Sequence, residues 1–338
     1  MSAFWPKTLG RLLAKEDLSA DEAAQAMQSI VSGEATPVQV AAFAMALRAK
    51  GETADELFGL ARTMLELAPE VETPGPVTDT TGSGGDRTRS INVSTIAAIV
   101  AAGGGAVVAK HGGRAKSSRC GSADLLEALG VKINLEAESV TRCLEQCGIA
   151  YMFAPVFHSA MSHAARPRQE MGVPTVFDFL TPLTNPARPA AQVVGVAEQR
   201  MLPVVAGVLA QRGIKGYVAR GTDGMDEITT TGPTELYEIN AGTFLQYYVL
   251  PIEIGVTVSS LEALAGGDVE TNAGIARAVL AGEKGAPREI VCVNAAAALS
   301  AAGLADDIQD GLTRAAESID SGKAAAVLDR WVEVSNRV

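Results

Sequence analysis

Residues 1–72 carry apolar positions at helical spacing, and the helix boundaries are well marked. Ser19 and Glu22, like Thr53 and Glu56, have the spacing of a capping box, in which a hydroxyl and a carboxylate bond reciprocally to the backbone. Thr36-Pro37-Val38-Gln39 adds a proline suited to the first helical position. The pattern therefore predicts helices alone, with stops near Gly33 and Gly51. Thr73-Pro74-Gly75-Pro76 then breaks the pattern and is typical of a linker.

From Val77 onward, short apolar runs alternate with alanine-rich helical stretches. This alternation is typical of βαβ units, in which crossover helices connect the strands of a parallel sheet. The predicted strands are Val77–Thr80, Ala106–Lys110, Gln192–Val196, Gly216–Ala219 and Thr243–Leu250. The predicted helices lie near Val93–Ala102, Ala123–Leu129, Arg288–Ser300 and Ile308–Val332.

The segment from Met161 to Pro189 is irregular and rich in proline, which predicts a second crossing between two domains. The expected fold class is α/β, with a small all-helical domain and a larger α/β domain whose mostly parallel central sheet is flanked by helices. The small domain would comprise residues 1–72 and about 161–190, and the larger one residues 76–160 and about 191–338. A cleft between two such domains is a favoured place for a ligand.

Composition narrows the choice of partners. A formal net charge of −11 over 338 residues argues against a nucleic-acid partner, which would require a basic surface. The chain shows neither a signal-type apolar segment nor a long uninterrupted apolar run, so we expect a cytoplasmic protein with no membrane partner. The four cysteines lack paired C-x-x-C spacing, which favours neither a zinc site nor a disulfide framework; they are Cys120, Cys143, Cys147 and Cys292.

Two glycine-rich loops, Thr81–Asp86 and Lys110–Ser118, each lead from a predicted strand toward a predicted helix. Backbone N–H groups in such loops bind phosphate oxygens, and Lys110, Arg114 and Lys116 could neutralise them. The polar residues of Asn92-Val93-Ser94-Thr95 could cap the next helix or bind the same phosphate. We therefore expect a ligand with more than one phosphate group. The spacing matches neither the P-loop nor the dinucleotide-binding fingerprint.

Adjacent carboxylates at Asp226 and Glu227 follow a predicted strand. They suit Mg²⁺, which proteins hold with one or two carboxylates together with substrate phosphates, although a solvated surface turn is the other interpretation. We expect these two side chains and Lys110 to lie in polar loops outside the core. The sequence shows no nucleophile-elbow motif, so covalent hydrolase chemistry is not supported.

Together, these motifs resemble those of the anthranilate phosphoribosyltransferases, which belong to the nucleoside phosphorylase and phosphoribosyltransferase superfamily. The resemblance runs through nearly the whole chain. It rests on Gly82–Asp86, Asn92–Thr95, Lys110–Arg114, Phe157-His158, Arg168, Pro182–Pro186 and Gly224–Glu227. It implies transfer of phosphoribose from phosphoribosyl diphosphate to the amine of anthranilate, release of pyrophosphate with the help of Mg²⁺, and a homodimer formed through the helical domains.

The resemblance also implies roles for particular residues. The donor, phosphoribosyl diphosphate, would be held by Gly82, Gly84, Gly85, Asp86, Asn92, Ser94, Thr95, Lys110, Lys116, Ser117 and Ser118. The metal would be held by Ser94, Asp226 and Glu227. The acceptor, anthranilate, would contact Gly82, Gly113, His158, Arg168 and Thr181, with Arg168 pairing with its carboxylate. Lys110, His111 and Arg168 would serve catalysis, and no dedicated protein base is assigned because an arylamine is already a nucleophile.

Three positions depart from the family pattern. Gly113 and Asp178 stand where the family usually has asparagine, and Thr181 stands where it has glycine. Positions 113 and 181 border the acceptor in the family, so the acceptor pocket is expected to be reshaped. One alternative is a related phosphoribosyltransferase with another aromatic acceptor. A second is a pyrimidine nucleoside phosphorylase, which would not need Asp226 and Glu227 as metal ligands. A third is a non-enzymatic protein, either a sensor of phosphoribosyl diphosphate or an inactive structural paralogue.

Overall fold

The N-terminal segment is a bundle of four helices. The computed structural model describes residues 4–115 and 119–338. The first four helices are α1 (Phe4–Leu13), α2 (Ala20–Val31), α3 (Pro37–Lys50) and α4 (Ala54–Leu67). All three expected capping boxes are present: in the first, the Glu22 N–H donates to Ser19 Oγ at 3.2 Å and the Ser19 N–H donates to Glu22 Oε2 at 2.9 Å. The helix boundaries predicted here are therefore confirmed.

A seven-stranded sheet forms the centre of the remaining chain. Its strands are β1 (Thr78–Gly82), β2 (Val108–Gly112), β3 (Ile149–Phe153), β4 (Ala191–Gly195), β5 (Lys215–Gly221), β6 (Thr234–Asn240) and β7 (Thr243–Val249). They lie in the order β3-β2-β1-β4-β5-β6-β7. The first five strands in this order are parallel, whereas β6 and β7 are antiparallel to their neighbours. The expected fold class, a helical unit plus a mostly parallel α/β unit, is confirmed.

The helices after the bundle connect the strands and cover the sheet. They are α5 (Val93–Gly103), α6 (Ser122–Ala128), α7 (Ala137–Cys147), α8 (Ala154–Phe157), α9 (Ser162–Met171), α10 (Leu202–Gln211), α11 (Pro251–Ile254), α12 (Val269–Leu280), α13 (Ala286–Ala301), α14 (Ile308–Asp320) and α15 (Lys323–Ser335). None of the helices in the described part of the chain is long and apolar enough to cross a lipid bilayer.

Several elements differ from expectation. The predicted helix over Ile308–Val332 is two helices, α14 and α15, because Gly322 adopts a left-handed conformation with φ of 77° between them. The strands β3 and β6 were not predicted, and the segment expected to be irregular contains α9. This helix packs against α2 and α3 of the bundle.

Two hydrophobic clusters stabilise the fold. One contains α5 and α13 and covers one face of the sheet. The other joins the bundle to the opposite face, because Phe43 of α3, Phe177 and Leu202 of α10 share it with Val218 of β5. The sheet is thus buried on both faces, as parallel sheets are, and the carboxyl ends of β1, β2 and β4 are left as the place for a ligand.

Candidate active site

Loop one, the segment Thr81–Asp86, crosses the carboxyl ends of β1 and β4. The Ser83 N–H donates to the Gly195 carbonyl at 2.9 Å, and Ser83 Oγ accepts the Ala197 N–H at 3.0 Å. Gly84 and Gly85 have φ angles of 68° and 84°, which side chains rarely allow. The glycines therefore bend the backbone across the sheet edge, where its N–H groups are available to a ligand or a side chain.

The acidic pair lies directly on this loop. Asp226 Oδ2 accepts the Gly84 N–H at 2.8 Å, and Glu227 Oε1 accepts the Ser94 N–H at 3.2 Å in the first turn of α5. A Cβ at Gly82 would lie 2.5 Å from Asp226 Oδ2, so a larger residue there would have to displace the Asp226 carboxylate. The two carboxylates thus accept hydrogen bonds from N–H groups of loop one and of the α5 N-terminus. These are the backbone groups that the sequence analysis expected to bind phosphate.

Burial makes this acidic pair electrostatically strained. It raises the pKa of Asp226 to about 7, with a further contribution from the negative charge of Asp86. The pKa of Glu227 is raised well above its ordinary value, first by burial and then by Asp226. A buried carboxylate pair that disfavours its own ionisation gains most from a bound cation, and its hard oxygen atoms fit Mg²⁺. The described residues include no group of three or more metal-ligating side chains, so substrate oxygens would have to complete the coordination.

Lys110 corrects the sequence-based prediction that it belongs to an exposed loop. It lies in β2, with only 1% of its surface exposed. Its Nζ donates to the Thr80 carbonyl, in a short hydrogen bond, and lies 3.5 Å from Ser94 Oγ. Burial lowers the pKa of Lys110, while the charges of Asp79 and Glu227 oppose that shift. Lys110 is therefore part of the protein interior, and its ammonium group reaches Ser94, on the donor side of the site, from within the sheet.

Asp226 and Glu227 are also less exposed than predicted. Asp226 is buried, and the loop that carries the pair is fastened on both sides. Asn294 of α13 accepts the Ile228 N–H at 3.1 Å and donates to the Ile228 carbonyl at 2.9 Å. Asp223 accepts the Met225 N–H at 2.9 Å. These bonds fix the loop in place and contradict the expectation of a polar loop outside the core.

Asp79 is a site residue that the sequence analysis missed. It is fully buried in β1 and accepts the His111 N–H at 3.3 Å and Gln192 Nε2 at 3.3 Å. Burial raises its pKa, and the charge of Lys110 opposes that shift. The sequence did contain a signal for this residue, because Asp79 lies between Thr78 and Thr80 in a predicted strand. A carboxylate in that position indicates a buried polar network under the site rather than a surface group.

Other residues assigned to the donor are already bonded within the protein. Asn92 occupies the N-cap position of α5 but makes no cap bond; its Nδ2 donates to the Cys120 carbonyl at 3.0 Å, and its Oδ1 accepts Asn272 Nδ2 at 2.8 Å. Thr95 is buried and bonds to Ser122. Arg114, from which the sequence analysis expected phosphate neutralisation, is paired with Glu127 and Asp124, whose hydrogen bonds raise its pKa. The assigned residues Lys116, Ser117 and Ser118 lie outside the described residues.

The two histidines His111 and His158 lie together beside the segment that connects α9 to β4. Nδ1 of His111 lies 2.9 Å from the Thr181 carbonyl, and Nε2 of His158 lies 2.7 Å from the Thr184 carbonyl. Because a carbonyl only accepts, each of these nitrogens carries the hydrogen and the other ring nitrogen is an acceptor. The rings meet edge to face with centroids 5.1 Å apart. Burial, reinforced by His158, lowers the pKa of His111 to about 3, so its ring is neutral.

Replacing His111 with glutamine makes stability less sensitive to acid. The unfolded chain binds a proton at His111 below its ordinary pKa of 6.5, whereas the folded chain does so only near 3. Stability from this group is thus complete above pH 6.5 and falls with decreasing pH, by up to about 2 kcal/mol between pH 6.5 and about pH 5. Urea unfolding at several pH values measures the slope. His163→Gln, at an exposed histidine, is the control for the loss of a histidine, and equal slopes for the wild type and His111→Gln would contradict a buried neutral His111.

The residues assigned to the acceptor have distinct surroundings. Arg168 Nη2 donates to Asp178 Oδ1 at 3.0 Å, and Asp178 Oδ2 accepts the Thr175 N–H at 2.9 Å. A Cβ at Gly113 would have no heavy atom within 4 Å, so the described residues around it leave open space where the family's asparagine side chain would project. Thr181 is bonded to His111 through its carbonyl, as described above, and its side chain is half-buried.

Comparisons with known proteins agree on one family. The model of the glycosyl transferase family, a/b domain, matches residues 74–325, and that of the glycosyl transferase family, helical bundle domain, matches residues 6–68. Anthranilate phosphoribosyltransferase of Acidothermus cellulolyticus is 54% identical and covers 98% of this chain and 95% of the relative. The Nocardioides enzyme of that name is 51% identical, with coverage of 98% and 99%.

Solved structures agree as well. The anthranilate phosphoribosyltransferase of Thermus thermophilus superposes with a TM-score of 0.92 at 41% identity, covering 97% of this chain and 99% of that one. The enzyme of Saccharomyces cerevisiae in complex with PRPP and Mg superposes with a TM-score of 0.91 at 26% identity, covering 100% of this chain and 99% of that one.

Proposed function

The chain belongs to the anthranilate phosphoribosyltransferase family, and we propose that Asp226 and Glu227 hold the Mg²⁺ that its reaction requires. The protein transfers phosphoribose from phosphoribosyl diphosphate to the amine of anthranilate, giving N-(5-phosphoribosyl)anthranilate and pyrophosphate. The observation that carries the assignment of residues is the position of the acidic pair on the N–H groups of Gly84 and Ser94. It brings carboxylates and anion-binding backbone groups into one site.

The donor side works mainly by positioning and by stabilising charge. As the bond from the anomeric carbon to pyrophosphate breaks, positive charge develops on the sugar and negative charge on the leaving group. Bound Mg²⁺ would neutralise part of that negative charge. The N–H groups of Gly84 and Ser94 donate to phosphate oxygens once Asp226 and Glu227 have released them. Lys110 contributes a positive charge from within the sheet, close to Ser94. Gly82, Gly85, Asp86, Asn92 and Thr95, with Lys116, Ser117 and Ser118, complete the proposed donor site.

We propose that the acceptor binds along the segment between α9 and β4, whose Thr181 and Thr184 carbonyls bond to the two histidines. His111 and His158 present neutral rings because burial lowers the pKa of both, Gly113 leaves open space for a planar ligand, and Arg168 pairs with the anthranilate carboxylate. We assign Gly82 to the same pocket. The arylamine nitrogen attacks the anomeric carbon with its own lone pair, so the residues position it without removing its proton first. Thr181 borders the same pocket.

The domain boundaries and the assembly are further proposals. We assign residues 1–72 and about 161–190 to the helical domain, and residues 76–160 and about 191–338 to the α/β domain, a division supported by the packing of α9 on the bundle. We also propose a cytoplasmic location and a homodimer through the helical domains. The dimer is supported by large apolar side chains exposed on α1, α3 and α4, namely Leu13, Val38, Met45 and Leu67.

Incubation with phosphoribosyl diphosphate, Mg²⁺ and anthranilate should decrease the anthranilate fluorescence and release one pyrophosphate for each anthranilate that reacts. Both signals should require the metal, since the acidic pair needs a cation to bring the donor phosphates onto the loop. Protein that is folded and binds the donor but leaves the fluorescence unchanged would contradict anthranilate as acceptor. Phosphorolysis of thymidine or uridine without Mg²⁺ would instead identify a pyrimidine nucleoside phosphorylase.

A further inference from the structure

Arg168 is held in an internal ion pair. Its Nη2 lies 3.0 Å from Asp178 Oδ1, and its guanidinium carbon lies 5.6 Å from the centre of the buried Phe177 ring. About a quarter of each charged side chain is exposed, 25% for Arg168 and 26% for Asp178, so the pair is partly shielded from water. Packing on the ring and the bond to the carboxylate together fix the direction of the guanidinium.

Asp178 lies in the short segment after α9 that also bonds to the two histidines. Asp178 closes a turn by accepting the Thr175 N–H, and the carbonyls of Thr181 and Thr184, a few residues further on, receive the hydrogens of His111 and His158. A ligand that packs against those rings therefore lies beside the segment that carries Asp178, and Asp178 is already bonded to Arg168 of α9.

We propose that Asp178 is a specificity-determining residue that competes with the acceptor carboxylate for Arg168. The proposal rests on the function assigned above, in which Arg168 pairs with that carboxylate. A carboxylate-bearing acceptor must displace Asp178 from the guanidinium or share it, and it meets a like charge in either case. A neutral aromatic amine meets neither obstacle. Asp178 thus lowers the preference of this chain for acidic over neutral acceptors.

Asp178→Asn tests the proposal because asparagine has nearly the same shape, can still accept the Thr175 N–H, and carries no charge. With saturating donor and Mg²⁺, KM is measured by pyrophosphate release for anthranilate and for its neutral analogue 2-aminobenzamide. The variant should lower the KM for anthranilate about tenfold and change that for 2-aminobenzamide by less than about twofold. Asp320→Asn removes the carboxylate of a pair with Arg288 that joins α13 to α14, and should leave both values at the wild-type level.

A merely structural role for Asp178 would move both acceptors together, because a disturbed turn affects any ligand. Parallel changes in the two KM values, or an unchanged KM for anthranilate, would overturn the proposal. If Asp178→Asn does not fold, Asp178→Ser removes the charge and leaves a hydroxyl acceptor for the Thr175 N–H. If the wild type shows no turnover of anthranilate, the assigned function fails by itself. Calorimetric titration of both ligands into donor-loaded protein then decides the role of Asp178, with tighter binding of anthranilate alone supporting it and any other pattern opposing it.

Discussion

Replacing Asp226 with asparagine should raise the melting temperature of the metal-free protein and at the same time lower turnover by about a thousandfold. The gain in stability follows from burial, because the folded protein disfavours a charge at Asp226 and Asp86 adds repulsion. Asparagine removes that charge but keeps an oxygen for the Gly84 N–H, which Asp226 accepts at 2.8 Å. The loss of turnover follows from the same change, since a neutral amide holds Mg²⁺ far less well than a carboxylate does.

Thermal unfolding without metal and turnover with excess Mg²⁺ measure the two effects separately. The sharper signature is that added Mg²⁺ should raise the melting temperature of donor-loaded wild type much more than that of Asp226→Asn. Asp307→Asn is a matched control, since Asp307 only caps α14 and asparagine is an equally good cap. A variant that is less stable than the wild type without metal, or that keeps wild-type turnover, would refute the proposed role of Asp226.

The elements that local chemistry specifies were predicted well from sequence. The capping boxes at Ser19, Thr36 and Thr53 depend on residues three apart, so the sequence contains all the information they need. The glycine loop after β1 was recognisable for the same reason, because its turn requires glycines at adjacent positions. Two strands were missed. Turn residues flank both, Gly148 and Pro155 around β3 and Pro233 and Gly242 around β6. β6 was missed because it mixes polar and apolar residues, and β3 because a short apolar run beside a helix cannot be distinguished from a helical segment by periodicity alone.

The errors at the site have a different cause. Lys110 and His111 were placed in a loop because polar residues usually end a strand, but β2 continues through them and buries both. What allows their burial is Asp79 on the neighbouring strand, more than thirty positions away in the chain. Likewise, no local pattern pairs Arg168 with Asp178, because a glycine turn at Gly172 and a chain reversal bring them together. Pairings that tertiary contacts create are not visible in a single sequence.

Replacing Lys110 with methionine should cost stability as well as activity, contrary to the expectation for a residue in an exposed loop. Methionine fills most of the volume of the buried stem but removes the positive charge that favours the ionised forms of Asp79 and Glu227. The buried Asp79 and the half-buried Glu227 then lose a compensating positive charge, which we expect to cost about 2 kcal/mol. Turnover should fall at least about a hundredfold, because Nζ reaches Ser94 Oγ on the donor side of the site.

A second substitution separates the structural part of this effect from the catalytic part. Asp79→Asn in the Lys110→Met background removes the carboxylate left without its positive neighbour, and the neutral side chain still accepts the His111 N–H. Urea unfolding should show most of the lost stability restored in the double variant, while its turnover stays low. Lys215→Met, at an exposed lysine at the start of β5, should match the wild type in both measurements. If Lys110→Met unfolds at the wild-type urea concentration, the charge of Lys110 does not stabilise the interior. If Asp79→Asn restores none of the lost stability, the carboxylate that the charge of Lys110 stabilises is Glu227 rather than Asp79.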